Sequence, residues 1–178
     1  MSYESRNHLL GWMINKAVPL LNIFRQGLPW STPLASLRSF SKSSWGNEIY
    51  WFLTDRGMSF LPKYEHHDAL HVLLGYDTSV LGEARLQAFM VGNRTPTFAG
   101  RGLYHLARML LRERKVLLAL DRDRGTRTPP IDWLGVEGSL NCDLEDIRLR
   151  WQIVQMPHEE TSAEQVATGK GLQPSPAP

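Results

Sequence analysis

The chain holds a single cysteine, Cys142. One thiol excludes an internal disulfide and any zinc site built on paired cysteines, and it suits a reducing compartment. An excess of charge of one sign is also lacking. The formal net charge is only +2, so no overall field points to nucleic acid. There is no run of about 18 or more apolar residues, so no transmembrane helix is expected. The opening MSYESRNH has neither the basic region nor the apolar core of a secretory signal. The expected setting is the cytoplasm, with at most peripheral contact with the inner membrane.

What is present is enough apolar material for one ordinary core. At 178 residues and 42% hydrophobic, the chain suits one domain rather than two. Charge is segregated along it. From Arg101 to Arg127 there are eight Lys or Arg against three acidic residues, and from Thr128 onward three against eight. Such a stretch makes a local basic face, either simply solvated or suited to anionic lipid headgroups, phosphates or acidic substrates.

The periodicity is mainly helical. Leu9 to Phe24 reads as an amphipathic helix, with Leu9, Met13, Leu20, Leu21 and Phe24 opposite a stripe of Gly11, Asn15, Val18, Asn22 and Arg25. Its apolar face suits a core or a membrane interface, and Pro19 marks a kink or an end. Gln26 to Ser44, rich in Ser and Pro, reads as connector. Asn47 to Asp55 reads as a short helix and Leu103 to Leu120 as a longer one, followed by a polar turn from Asp121 to Pro130. Asp143 to Val154 fits a helix or a strand, and its alternation favours the strand. The domain is drawn at 1–156. Residues 157–178 carry no aromatic residue and read as a disordered tail. The fold class is all-α, a single-domain helical bundle.

The stretch HHDALHVLLGYDTSVLGE, residues 66–83, carries the chemistry. Tyr64 to Leu74 has helical spacing, with Gly75 placed as a left-handed C-terminal cap. Asp77, Thr78 and Ser79 can each cap a second helix from Val80 to about Gly92. So short a turn favours an antiparallel hairpin. At about 100° per residue, His67, His71 and Asp68 share one arc of the first helix. Two imidazoles four residues apart form a helical chelate, and Glu83 enters one turn into the second helix. The candidate metal ligands are His67, Asp68, His71 and Glu83, with Asp68 and Glu83 as candidate catalytic carboxylates. Zinc, ferrous iron, cobalt and manganese all tolerate this set. His66, His8, His105 and His158 are left as surface, structural or supporting residues.

The pattern HDxxH, eleven residues, then Glu runs from His67-Asp68-Ala69-Leu70-His71 through Val72–Gly82 to Glu83. In this the chain resembles the ubiquinone (coenzyme Q) biosynthesis protein Coq-four family. LLGYDTSVLGE, DRGMSFLP and LEDIRLRWQI are similar to other elements of that family, and the resemblance is best over residues 55–92. It looks like a bacterial-type relative. The resemblance implies an all-helical protein with a divalent metal, zinc foremost, at the signature. It implies an apolar groove for a polyprenyl quinone precursor, attachment to a membrane surface, and association with other quinone-biosynthesis enzymes. The implied activity is oxidative decarboxylation at ring carbon C1. A homodimer is compatible with the wide apolar surface. Two other readings come from different classes. One is a lipid-binding scaffold with a structural metal. The other is an HD-type phosphohydrolase, for which only His8 and Asp121 are available as further ligands.

Overall fold

A computed structural model of the chain describes residues 2–24, 29–131 and 135–153, with the backbone alone for 15–24. Its helices in chain order are α1 (Tyr3–Phe24), α2 (Leu34–Leu37), α3 (Trp45–Thr54), α4 (Glu65–Leu74), α5 (Val80–Gly92), α6 (Phe98–Leu110), α7 (Lys115–Arg127) and α8 (Leu144–Arg150). Among the described residues there is no strand, only an isolated bridge between Ser44 and Asp143. The fold is all-α, as expected. The region 157–178 lies outside the described residues.

Helix α5 is the axis on which the site is hung. Its Ala84 and Ala88 face one apolar cluster with Leu10 of α1, Tyr104 and Ala107 of α6, and Leu118 of α7. Its Leu86, Phe89 and Met90 face a second cluster with Trp45 and Leu53 of α3, Leu73 of α4 and Ile147 of α8. A helix buried on both sides has no single apolar stripe. Helix α7 lies close against it because glycines meet backbone. A methyl on Gly92 would strike the Arg122 carbonyl, and one on Gly125 would strike that of Phe89.

Several boundaries differ from the sequence reading. Helix α1 continues from Tyr3 to Phe24, past Pro19. Leu10 packs inside and Gly11 lies against Val80, whereas Leu9, Trp12 and Met13 face solvent. The side drawn through Leu9 and Met13 is therefore not the packed one. The connector holds α2, and Ser44 caps α3 by accepting from the Asn47 N–H at 3.2 Å.

The helix expected over Leu103 to Leu120 is two helices. Leu111 leaves helical geometry at φ −97° and ψ 60°, and a 3₁₀ turn over Arg112–Arg114 leads into α7. Arg6 holds this corner by donating to the Leu110 carbonyl at 2.7 Å and pairing with Glu113. Leu111 and Leu118 still enter one cluster, so an angular stripe could not reveal the break. Arg114, at the end of the 3₁₀ turn, lies 5.9 Å from the Tyr3 ring centre, within reach of its π face.

Asp121 to Pro130 is not a turn but is helical as far as Arg127. Asp121, Arg124 and Gly125 continue the buried stripe begun by Leu118. Asp143 to Val154 is not a strand over its described part. The Asp143 carboxylate accepts from the N–H groups of Glu145 (2.9 Å) and Asp146 (3.3 Å) and starts α8. A local cap outweighs the alternation.

Gly125→Ala tests the close helix pairing. Overpacking costs about 3 kcal/mol and better helix propensity returns about 1 kcal/mol, so a net loss of about 2 kcal/mol is expected in chemical denaturation. An alanine variant as stable as the parent would contradict it.

Candidate metal centre

The site begins with how α4 ends. Gly75, at φ +77°, adopts the left-handed conformation that glycine allows. Its N–H and that of Tyr76 donate to the His71 carbonyl at 2.9 and 3.0 Å. Arg148 of α8 donates to the carbonyls of Leu73 and Val72, each at 2.9 Å. Arg124 of α7 donates to that of Leu74 at 3.0 Å. All four terminal carbonyls, which a helix cannot satisfy itself, therefore have partners. This end of α4 is held by two other helices.

The next helix starts five residues later. Ser79 accepts from the Gly82 N–H at 3.0 Å, and Asp77 accepts from the Ser79 N–H (2.9 Å) and hydroxyl (2.6 Å). Gly82 must lack a side chain, because a methyl there would collide with the carbonyl and carboxylate of Asp77. This tight start brings Glu83 back alongside the His67–His71 turn.

His67 Nε2 lies 3.3 Å from Glu83 Oε2, and His71 Nε2 lies 3.1 Å from Glu83 Oε1. One ligand atom from each of the three residues falls within 4.8 Å of the others. Among the described residues, no other three His, Cys, Asp or Glu side chains are so placed. His71 is buried at 2% exposure, while His67 (23%) and Glu83 (17%) open the cluster to one side. The Phe52 ring stacks at 6.0 Å on His71, and Tyr64 meets His67 edge-on at 6.3 Å.

Asp68 is not part of this convergence. Its Oδ1 lies 3.8 Å from His67 Nδ1, the nitrogen away from Glu83. One residue along a helix is a rotation of about 100°, which carries Asp68 round to the far side of the ring. The other imidazole is backed in a similar way, with His71 Nδ1 3.2 Å from the Tyr76 carbonyl. Carboxylates and carbonyls behind the rings are the usual supports of metal-binding histidines.

Burial alone would lower the basicity of His67, but the charge of Glu83, with Asp68 behind, overrides it and raises the pKa to about 9. Burial alone would raise that of Glu83, but the His67 imidazolium, with His71, holds it well below the usual carboxylate range. A proton on His67 thus balances the carboxylate when no ion is bound. Two imidazoles and a carboxylate form a donor set that fits zinc, iron(II), cobalt(II) or manganese(II). The residues fit a divalent cation held by His67, His71 and Glu83.

The remaining histidines lie elsewhere. His66 accepts from the Trp30 indole N–H at 3.1 Å. His8 and His105 are exposed, and His158 is outside the described residues. Asp121 is buried against Arg85 and Tyr76, with Arg85 Nε donating at 2.8 Å and the Tyr76 hydroxyl at 2.7 Å. The two extra ligands of the phosphohydrolase reading are therefore not brought to the cluster. The Tyr76–Asp121–Arg85–Arg124 network escaped the sequence reading. Its signal was the spacing of Asp121, Arg124 and Gly125 behind Leu118.

Surface hollows lie away from the cluster. One of about 560 Å³ is lined by Arg38, Phe40, Lys42, Asn47, Glu48 and Trp51. Another, of about 250 Å³, lies where α5 and α7 end, around Asn93, Arg94 and Thr128. Neither includes a residue of the cluster.

No protein-family model matches the chain, and no curated protein matches it. The fold is similar to the crystal structure of a candidate ubiquinone biosynthesis protein from Nostoc punctiforme. The two share 22% sequence identity over 85% of this chain and 81% of the other, with a TM-score of 0.53. At this identity the likeness concerns the fold.

Binding a cation displaces the proton on His67, so affinity follows pH. Apparent cobalt(II) or zinc affinity should rise by about tenfold per pH unit up to about pH 9 and then level off. Without metal the cluster's effect on stability has the opposite slope. The raised His67 stabilises fully below its ordinary 6.5, and this is lost as pH climbs through about 9. Competition titrations and denaturation across this range check both. A flat affinity profile would contradict the assignment.

Proposed function

We propose that the chain is a ubiquinone biosynthesis protein that binds a divalent metal and acts on a polyprenylated aromatic acid at ring carbon C1. The observation that carries this reading is the convergence of His67, His71 and Glu83 within 4.8 Å on a capped helical hairpin. It is supported by the HDxxH…Glu pattern, a full match to the Coq-four signature. It is supported also by a fold shared with a candidate protein of that pathway.

In the proposed reaction the ring–carboxyl bond breaks with loss of CO₂ and a ring–hydroxyl bond forms; dioxygen takes the two electrons released, and with one water consumed it leaves as hydrogen peroxide. A cation held by His67, His71 and Glu83 supplies Lewis acidity for the charge that develops as the ring–carboxyl bond breaks. Glu83 and the buried His71 fix that position, while His67 is the more exposed of the two imidazoles. Asp68 Oδ1, 3.8 Å from His67 Nδ1, supports the charge on that ring from behind. Phe52 and Tyr64 give the cluster an aromatic border. Among the described residues no helix is long and apolar enough to cross a membrane. Attachment would instead use exposed apolar side chains such as Trp12 (60% exposed) on α1 and Phe98 (97%) on α6, beside the basic residues of α6. A membrane surface, other quinone-biosynthesis enzymes and a second copy of the chain are the proposed partners.

Those exposed residues also favour a second reading, a lipid-binding scaffold without turnover whose metal is structural. The combined variant His67→Ala, His71→Ala separates the two. Under the leading reading, metal content by elemental analysis and C1 turnover of a prenylated hydroxyaromatic acid under oxygen both fall to background. If metal and turnover are unchanged, the leading reading is lost. If prenyl lipid co-purifies with the parent, and the parent makes no product under oxygen and metal, the scaffold is favoured.

A further inference from the structure

The reading of His67, His71 and Glu83 as a metal centre leaves open what holds the two ligand-bearing helices in register. The answer lies on α7, whose residues are far from the cluster in sequence. A carbonyl oxygen can only accept, so His71 Nδ1, 3.2 Å from the Tyr76 carbonyl, must carry the proton. Nε2, 3.1 Å from Glu83 Oε1, is then the nitrogen that presents a lone pair to a cation once any proton shared with that carboxylate is displaced. The Tyr76 carbonyl thus selects which nitrogen of His71 can bind a cation.

Tyr76 is gripped at both ends. Its N–H donates to the His71 carbonyl at 3.0 Å. Its hydroxyl donates to Asp121 Oδ1 at 2.7 Å and accepts from Arg124 Nη1 at 3.0 Å. The guanidinium carbons of Arg85 and Arg124 lie 5.2 and 5.3 Å from the centre of its ring. Burial above all, and Asp121 beside it, push the phenol far above its usual pKa, so it remains a donor. The same Asp121 accepts from Arg85 Nε at 2.8 Å and Nη2 at 3.3 Å. Arg85 stands two residues after Glu83 on α5. One buried carboxylate therefore ties down both the backing of His71 and the helix turn that presents Glu83.

We propose that Asp121 and Tyr76 are positioning residues of the metal centre, setting the His71 tautomer and the His71–Glu83 separation from α7. The proposal rests on the metal reading for its purpose, but its geometry is set by the chain's own residues and is measurable without added metal. Carboxylate and hydroxyl supports behind metal ligands change affinity by about 10–100-fold when removed.

Tyr76→Phe is the direct test, because it deletes one hydroxyl and keeps the ring. Asp121→Asn is the harsher variant, since it removes the buried charge that Arg85 pairs with. Two measurements are made on the full chain. In the first, the metal-free protein is examined by ¹H–¹⁵N NMR for the His71 Nδ1–H, a buried proton that exchanges slowly with solvent. Tyr76→Phe should exchange it about tenfold faster, because one charge-assisted hydrogen bond no longer holds the acceptor in place. In the second, cobalt(II) is titrated. Tyr76→Phe should bind at least about tenfold more weakly, with a shifted visible spectrum and an unchanged helical signal. A structural role alone would leave that spectrum unmoved. The same exchange rate, affinity and spectrum in Tyr76→Phe as in the parent would overturn the proposal. If the parent itself binds no cobalt(II), the metal reading fails. The exchange rate then decides the clamp alone: faster supports it, unchanged refutes it.

Discussion

A carboxylate shared between two imidazoles is the interaction on which the rest of this structure turns. Glu83 faces His67 and His71 with one oxygen each, at 3.3 and 3.1 Å, in a place that is largely out of water. Burying a negative charge beside two rings is costly unless something positive balances it. A proton on His67 does so in the free protein, and a cation does so under the proposed function. The hairpin exists to make this meeting possible. Gly75 turns the chain out of α4, Ser79 and Gly82 start α5 without delay, and the carbonyls at the end of α4 are satisfied from α7 and α8.

That dependence explains why the surrounding fold carries so much buried polarity for its size. Asp121, Arg124 and His71 are all nearly inaccessible, and each bonds to a group at or near the hairpin. Arg148 reaches the same helix end from α8. Leaving such groups unpaired would cost far more than their pairing contributes, so the network resists small displacements of either helix. Rigid support of this kind is what a site with open coordination positions needs. The close pairing of α5 and α7, which Gly92 and Gly125 permit, supplies the platform on which the network rests.

The hairpin and its three converging residues were legible in the sequence because every cue was local. Spacings of four residues, a glycine after the last leucine, and a serine before the next apolar run each act over one helical turn. The position of Asp68 was less legible. Arc-counting places it near the histidines, but a contact at the far nitrogen of His67 and a ligand position differ by one side-chain direction. The α6–α7 corner was hidden because Leu111 and Leu118 keep to one stripe on either side of the break. Of the helix and the strand that Asp143 to Val154 allowed, the helix formed, because alternation over a few residues is weaker than one aspartate cap. The Tyr76–Asp121 link was harder to read, since it joins residues 45 apart in sequence and its one local sign was the helical spacing of Asp121, Arg124 and Gly125 behind Leu118.

The most direct measurement of the central claim is X-ray absorption at the metal edge, on the parent and on Glu83→Gln, each loaded with one equivalent of zinc or cobalt(II). The account predicts one ion per parent chain in a nitrogen and oxygen shell with the scattering signature of two imidazoles. It predicts a changed shell or lost occupancy in Glu83→Gln. A shell without imidazole, or an identical spectrum in the two proteins, would contradict it.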